Sequence, residues 1–313
     1  MSVIRVQAAG LLTTVQDLGR EGFGPLGISP SGAADPISLR LGNRLVANPE
    51  GSAGLEMTLL GGIFSFPDGA VLALAGADFA TSLDDATVVP WTSFEVRPGQ
   101  TLRVGSARWG ARCYLCVQGG IAVKPFLGSA STHLLSGLGG FDGRPLRKGD
   151  VLHTGSATRS LRKRKLAPQL QARLSARQVL RVTAGPQSNW FAESSLRTFY
   201  AGTYRVGEQS NRMGLRLEGA PVTQSSSGEM ITEGVSLGAV QAPHGGLPII
   251  LFVEQQTTGG YPKICNVISA DLHCVGQLRP RDEIRFEQVT LETARALLIE
   301  QEKLLASEEL ILE

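Results

Sequence analysis

Short apolar runs, each ended by a glycine or proline turn, dominate this sequence and limit what it can fold into. LEMTLLGG, IFSFPDG, AVLALAG, SFEVRPG, TLRVGS and CYLCVQGG follow one another between residues 55 and 120. Runs this short, with turn residues between them, form strands of a sandwich or a barrel. EQSNRMGLRLEG, MITEGVSLGAVQAP, LPIILFVEQQ and EIRFEQV carry the same pattern through the second half. The 38 glycines and 16 prolines among 313 residues supply the turns and disfavour a helical bundle.

A chain of this length predicts two domains. VIRVQAAG at 3–10 reads as an opening strand, and DPISLRLGNRLV at 35–46 as a helix. Asp35 can cap that helix, and Pro36 suits its first position. WFAESSLRTFY reads as a second, short helix. Residues 158–175 are basic and polar and form the expected linker. They include Arg159, Arg162, Lys163, Arg164 and Lys165, with no interleaved aromatics, so solvation fits them better than an RNA groove. QVLRVTAG at 178–185 opens the second half. Near the end, Leu291, Ala294, Leu298 and Leu305 line one face of a tail helix, expected to dock on the chain's own barrel. Residues 113–152 and 250–286 echo one another: an apolar strand, a glycine turn, an excursion, then Leu-basic-x-x-Asp-x-apolar. A duplicated β domain explains the echo. The expected division is 1–165, 166–290 and a helical tail at 291–313.

The formal charge of +2 gives no strong field and disfavours nucleic acid. The start lacks a secretory pattern, and the apolar run at 70–77 is too short to cross a bilayer, so a soluble cytoplasmic protein is expected. Cys113 and Cys116 have C-x2-C spacing but sit inside an apolar strand pattern rather than on a knuckle. Together with Cys265 and Cys274 they read as reduced, packed thiols. There is no dinucleotide loop, phosphate loop, nucleophile elbow or H-E-x-x-H helix. The histidines 133, 153, 244 and 273 have no metal spacing. His244 stands out for its place in the loop APHGGLP.

Two dense polar-glycine segments, 13–40 and 254–271, point to a shaped binding surface, with glycine-rich turns of a β protein as the competing reading. In the first, Gln16, Asp17 and Arg20 offer acceptors and donors, with local Asp17–Arg20 pairing as the competing arrangement. Arg40 can grip a carboxylate or phosphate with two hydrogen bonds, or simply solvate its helix. In the second, Thr257 and Thr258 supply hydroxyls, while Gly259 and Gly260 permit close approach to backbone N–H groups. Tyr261 adds a ring and a hydroxyl. Lys263 adds a cation suited to binding an anion rather than to acting as a base, since an ordinary lysine is protonated near neutrality. Between these segments, SNRMGLRLEG presents Asn211 and Arg212. Arg212 either faces substrate or packs against a glutamate.

TTVQDLGREG, SGAADPISLRLGNRLV, SNRMGLRLEG and QTTGGYPKICNVISADL, in that order, resemble the biotin-dependent carboxyltransferase-like family. That family includes the C component of 5-oxoprolinase, the KipA proteins and the second segment of the urea carboxylase carboxyltransferase region, and its members are often labelled allophanate hydrolase subunit 2. The resemblance runs from residue 3 to about 290. It implies a mainly β fold of two related cyclophilin-like β-barrel domains with short helices. The leading activity implied is ATP-dependent opening of 5-oxo-L-proline to L-glutamate, with ATP and Mg2+ as cofactors. The implied partners are a KipI-like protein and a LamB/YcsF-like protein, the B and A components of that complex. The alternatives are a carboxyltransferase using carboxybiotin on urea or another small amide, or a non-catalytic KipA-like regulator. The resemblance marks Gln16, Asp17, Arg20, Asp35, Ser38, Arg40, Asn211, Arg212, Thr257, Thr258, Gly259, Gly260, Tyr261 and Lys263 as substrate-binding. It places the site between the barrels or against the KipI-like partner, and identifies no catalytic acid or base. Three departures stand out. A usual Gly-Ala-Met-Asp reads Gly32-Ala33-Ala34-Asp35, a usual Asp-Arg reads Glu254-Gln255, and a usual glycine is Arg281.

Overall fold

Antiparallel pairing of the short runs builds most of the molecule. The computed structural model describes residues 2–156, 163–225 and 230–313. They divide into two units: Met1–Arg20, Ser31–Leu174 and Leu304–Glu313 in the first, and Glu21–Pro30 with Ser175–Lys303 in the second.

The first unit holds a seven-stranded sheet in the order Ile121–Ala122, Val151–Thr154, Val3–Ala8, Ile63–Ser65, Thr101–Ala107, Phe79–Leu83, Ala86–Thr87. A five-stranded sheet runs Leu12–Gln16, Gly54–Thr58, Arg112–Val117, Ala70–Gly76, Ser93–Val96. One core cluster draws Ile4, Phe64 and Leu102 from the first sheet and Leu55, Leu72 and Leu115 from the second. The helix Pro36–Leu45 packs Leu39 and Leu45 with Ala73, Tyr114 and Cys116 on the five-stranded sheet. A Cβ at Gly42 would lie 2.7 Å from Cys116 Sγ, so glycine sets how closely helix and sheet approach. The strand Arg112–Val117 is therefore covered on both faces and buried at every position, which accounts for its unbroken apolar run. Cys113 and Cys116, three residues apart, point to opposite faces: Cys113 joins the core between the sheets, and Cys116 the cluster under the helix. Burial holds both thiols well above their ordinary pKa.

In the second unit seven strands close into a barrel: Val179–Ala184, Lys263–Val267, Ala239–Gln241, Ile249–Leu251, Gly214–Glu218, Tyr204–Val206, Glu283–Gln288. Leu180, Val240, Ile250, Ile264 and Phe286 are buried in it. The helix Glu193–Ala201 adds Phe199, which stacks on Phe286 at 4.7 Å.

The expectation of two barrels therefore holds for one half. Among the described residues the first unit keeps two separate sheets, and only the second unit's sheet closes. The linker expectation also changes. Residues 157–162, with Arg159 and Arg162, lie outside the described residues. Beyond them, Lys165–Leu166 pairs with Ile311–Leu312, and Pro168–Arg173 is helical. The tail helix, Leu291–Ala306, docks less than its apolar spacing implies. Leu305 is buried with Ile37, Leu41 and Leu310, whereas Leu291 is 72% exposed. No described helix is long and apolar enough to cross a membrane.

Candidate functional site

Gln16, Asp17 and Arg20 of the first polar-glycine segment turn their polar groups onto their own unit. Asp17 accepts hydrogen bonds from Gly19 N, Ser129 Oγ, Ala130 N and Ser131 Oγ at 2.5–2.8 Å. Arg20, 2% exposed, donates to the carbonyls of Phe126 and Ser131 and lies over the Phe126 ring. Both side chains thus hold the loop 126–131. Gln16 is fully buried; its Nε2 donates to Thr14 Oγ1 and to the Thr132 carbonyl.

Asp35 caps its helix as the sequence predicts, accepting from Ser38 N at 3.0 Å and from Ser38 Oγ at 2.5 Å. Behind the cap lies a buried carboxylate. Glu56 Oε2 accepts from Ala34 N at 2.8 Å and from Tyr114 Oη at 2.7 Å; Tyr114 Oη in turn accepts from Asp35 N at 2.7 Å. Arg112 Nε stands 3.7 Å from the other Glu56 oxygen. Burial, and then the neighbouring Glu56, hold the Tyr114 phenol well above its ordinary pKa. Arg40 pairs with Glu50 at 2.7 Å.

The second segment builds a different kind of site. Thr258–Gly259 pairs with Glu233–Gly234 as a small two-stranded ladder. Val235 N donates to the Thr257 carbonyl, extending the pairing. Two residues past Tyr261, Lys263 starts a barrel strand and is 4% exposed. A buried ammonium needs a partner, and Lys263 Nζ pairs with Glu233. Gln187 bridges the pair: its Nε2 donates to Glu233 at 2.8 Å, and its Oε1 accepts from Lys263 N at 3.2 Å. The hydrogen bond from Lys263, then that from Gln187, hold the Glu233 carboxyl below its ordinary pKa. A Cβ at Gly259 would lie 2.8 Å from Nε2 of both Gln241 and Gln256, so glycine lets these amides close on the backbone. Gly260 and Tyr261 are exposed at the tip, with the Tyr261 ring edge-on to His244.

Arg212 forms a buried pair with Glu254 at 2.5 Å, so the packed arrangement describes it. Asn211 Oδ1 accepts from Met213 N and Gly214 N and shapes the turn into the strand Gly214–Glu218. Gln255 is buried, and its Nε2 donates to the Val235 carbonyl.

Thr258, Gly259 and Lys263 thus share one polar cluster, whereas Asp17, Arg20 and Arg40 are engaged elsewhere in the fold. The sequence alone missed Gln187, Glu233, Gln241 and Gln256. Glu233 and Gln241 lie in MITEGVSLGAVQAP, where the apolar pattern marked only a strand. No spacing links positions 187, 233 and 263. Chemically, the cluster offers one cation and several amide donors, which together suit a carboxylate or an amide oxygen.

Residues 26–288 match the family described as carboxyltransferase domain, subdomain A and B. The chain is 38% identical to the C component of 5-oxoprolinase from Escherichia coli (strain K12), over 93% of each chain. It is 34% identical to urea amidolyase of Saccharomyces cerevisiae, over 95% of this chain and 17% of that protein. Its fold matches the crystal structure of K. lactis urea amidolyase with a TM-score of 0.89 at 33% identity, covering 99% of this chain and 21% of that one.

Proposed function

Since this chain belongs to the carboxyltransferase-domain family, we propose that it is the carboxyltransferase-type component of a multi-subunit enzyme acting on a small amide such as urea. The observation that carries this is Lys263: a buried ammonium whose partner Glu233 is 45% exposed, set beside the amides around Gly259. A substrate oxygen that meets Lys263 gains a charge-assisted hydrogen bond from a side chain that is itself 4% exposed. Of the residues the family resemblance marks, we assign substrate contact to Thr257, Thr258, Gly259, Gly260, Tyr261 and Lys263. We add Gln187 and Glu233 as the groups that hold Lys263.

Carboxybiotin supplies an activated carboxyl group when bound. Lys263 and the Gln241 and Gln256 amides are the donors that fit its oxygens. Among the described residues, no set of three or more His, Cys, Asp or Glu is placed to hold a metal ion, and we assign no Mg2+ ligand to this chain. We take 1–165 and 166–290 as related cyclophilin-like modules, with 291–313 as a helical tail. Their repeated Leu-basic-x-x-Asp turn supports that division. A cytoplasmic location belongs to the same proposal.

A second reading has its own support. The match to the 5-oxoprolinase C component reaches across 93% of both chains, whereas the urea amidolyase match takes up 17% of that protein. Here the chain works with KipI-like and LamB/YcsF-like partners and ATP, and the Lys263 cluster holds the carboxylate or lactam oxygen of 5-oxo-L-proline. Reconstitution with the candidate partners separates the readings. Carboxylated urea, formed only when a carboxylated biotin carrier is supplied, establishes transfer. Coupled glutamate and ADP from 5-oxo-L-proline establishes lactam opening. Partner binding without either product overturns both and leaves a regulatory protein.

A further inference from the structure

The loop APHGGLP, which stands out in the sequence, meets the candidate site where His244 stands edge-on to Tyr261, and it also lines a second surface. With the strand Gly214–Glu218 and residues 207–209 it lines a cavity of about 440 Å3 that opens to solvent in the second unit. That volume falls in the range of small-molecule pockets, about 300–1,000 Å3. One side of it is apolar: Pro243, Leu247, Pro248 and Ile249. The lining also carries three charged residues, Glu208, Arg216 and Glu218, and the amide of Gln209. Both acids have cations of their own: Glu208 pairs with Arg281 at 2.7 Å, and Glu218 with Arg205 at 2.8 Å. Among the described residues, the Arg216 guanidinium has neither an ion pair nor a hydrogen bond. Its backbone is fixed by the register Arg216↔Ile249 and by Ser210 Oγ, which accepts from Arg216 N. The cavity therefore sets an exposed arginine without an ion pair beside Leu247, Pro248 and Ile249.

We propose that this cavity is a second ligand site, and that its ligand is a small monocarboxylate with an apolar body. The carboxylate pairs with Arg216, whose planar fork matches it, and the body covers Leu247, Pro248 and Ile249. A cationic ligand is disfavoured by Arg216. A wholly apolar one leaves the Arg216 charge unused.

The test titrates the full chain with phenylacetate, and with the neutral isostere phenylacetamide, following amide shifts by NMR. Phenylacetate should shift Gly207, Gly245, Leu247 and Ile249 and bind more tightly than phenylacetamide. Arg216→Gln should weaken phenylacetate about tenfold, in line with loss of a hydrogen bond to a charged group, while leaving phenylacetamide unchanged. Leu247→Asp, at a position already 45% exposed, should weaken phenylacetate by repulsion without disturbing the fold. The proposal is overturned if the two probes bind alike, if Arg216→Gln leaves phenylacetate affinity unaltered, or if the shifts fall outside the cavity lining.

Discussion

The two units make the same turn with different residues. In the first, Arg147–Asp150 leads into the strand Val151–Thr154; in the second, Arg279–Asp282 leads into Glu283–Gln288. Asp150 Oδ2 accepts from Arg147 N at 2.7 Å, and Asp282 Oδ2 from Arg279 N at 2.8 Å. Each aspartate carbonyl accepts from a strand valine, Val6 or Val206, at 2.9 Å. Each third position donates its N–H back to that same valine. That third position has a positive φ in both turns, 94° at Gly149 and 74° at Arg281. Glycine adopts this conformation freely; arginine is strained there. The same geometry is thus held with glycine in one turn and with arginine in the other, as expected if the turn is fixed by the sheet around it rather than by its own preference.

The buried charges of the two units differ in the opposite sense. Glu56 is enclosed: Ala34 N, Tyr114 and Arg112 surround it, and it is 2% exposed. The Lys263 cluster is open on one side, because Glu233 reaches solvent. The first arrangement holds a helix start in place; the second keeps a buried cation beside a half-exposed carboxylate, as the proposed ligand contact requires.

Replacing Glu56 breaks this contrast most sharply. Glu56→Leu strands Arg112 and two donors in the core and should cost about 3–5 kcal/mol in urea unfolding; a loss comparable to that of an exposed pair would put Glu56 outside the structural role. Lys263→Met should do the reverse, lowering turnover of the reconstituted enzyme by at least about a hundredfold while the unfolding midpoint stays nearly fixed. A large midpoint shift with activity retained would make Lys263 a structural residue like Glu56.

The turns give finer tests. Arg144 forks onto Asp150 at 2.8 and 2.9 Å, and that hydrogen bonding holds the Asp150 carboxyl below its ordinary pKa. A depressed folded pKa contributes stability above the unfolded value and loses it as pH falls through the folded one. Asp150→Asn should therefore lower stability near neutrality and flatten its decline on acidification. An unchanged acid limb would remove Asp150 from that balance. The smallest effects are expected from swapping the third position. Gly149→Arg should cost about 1–2 kcal/mol through the left-handed backbone. Arg281→Gly should gain about 0.5 kcal/mol, because relief of strain exceeds glycine's entropic penalty and an exposed ion pair contributes little. Equal responses of the two turns would contradict their common geometry.

How much was legible in the sequence depended on whether the signal was local. The helix at Pro36 could be read from Asp35, Pro36 and its apolar spacing, all within a few residues. The strands could be read from their turns, and the echo of 113–152 in 250–286 was visible because Asp150 and Asp282 hold the same place in their motifs. Barrel closure was not legible. It depends on whether the edge strands of a sheet meet, and the same alternation serves an open sheet and a closed one. The candidate site was half legible. TTGGYPK announced Lys263 and the glycines, but the partners at Gln187 and Glu233 come from distant segments joined only by folding. For Arg212 the sequence left substrate contact and packing both open, and the buried Glu254 takes it. The tail helix misled because an apolar stripe records what a face can bury, not how much of it is covered.

Two strand pairings bear on the order in which the protein assembles. Val179–Ala184 lies parallel to Glu283–Gln288, so the barrel is sealed by joining its earliest strand to its latest. In the other unit, Lys165–Leu166 waits for Ile311–Leu312. While the chain is still emerging from the ribosome, each unit therefore carries a strand edge with no neighbour, and neither edge is covered until the final segments arrive. Such long-range closure is slow, and an open edge invites pairing with another nascent chain. The late segments act in effect as latches, so the yield of folded protein rests on how quickly they engage as much as on how firmly they hold.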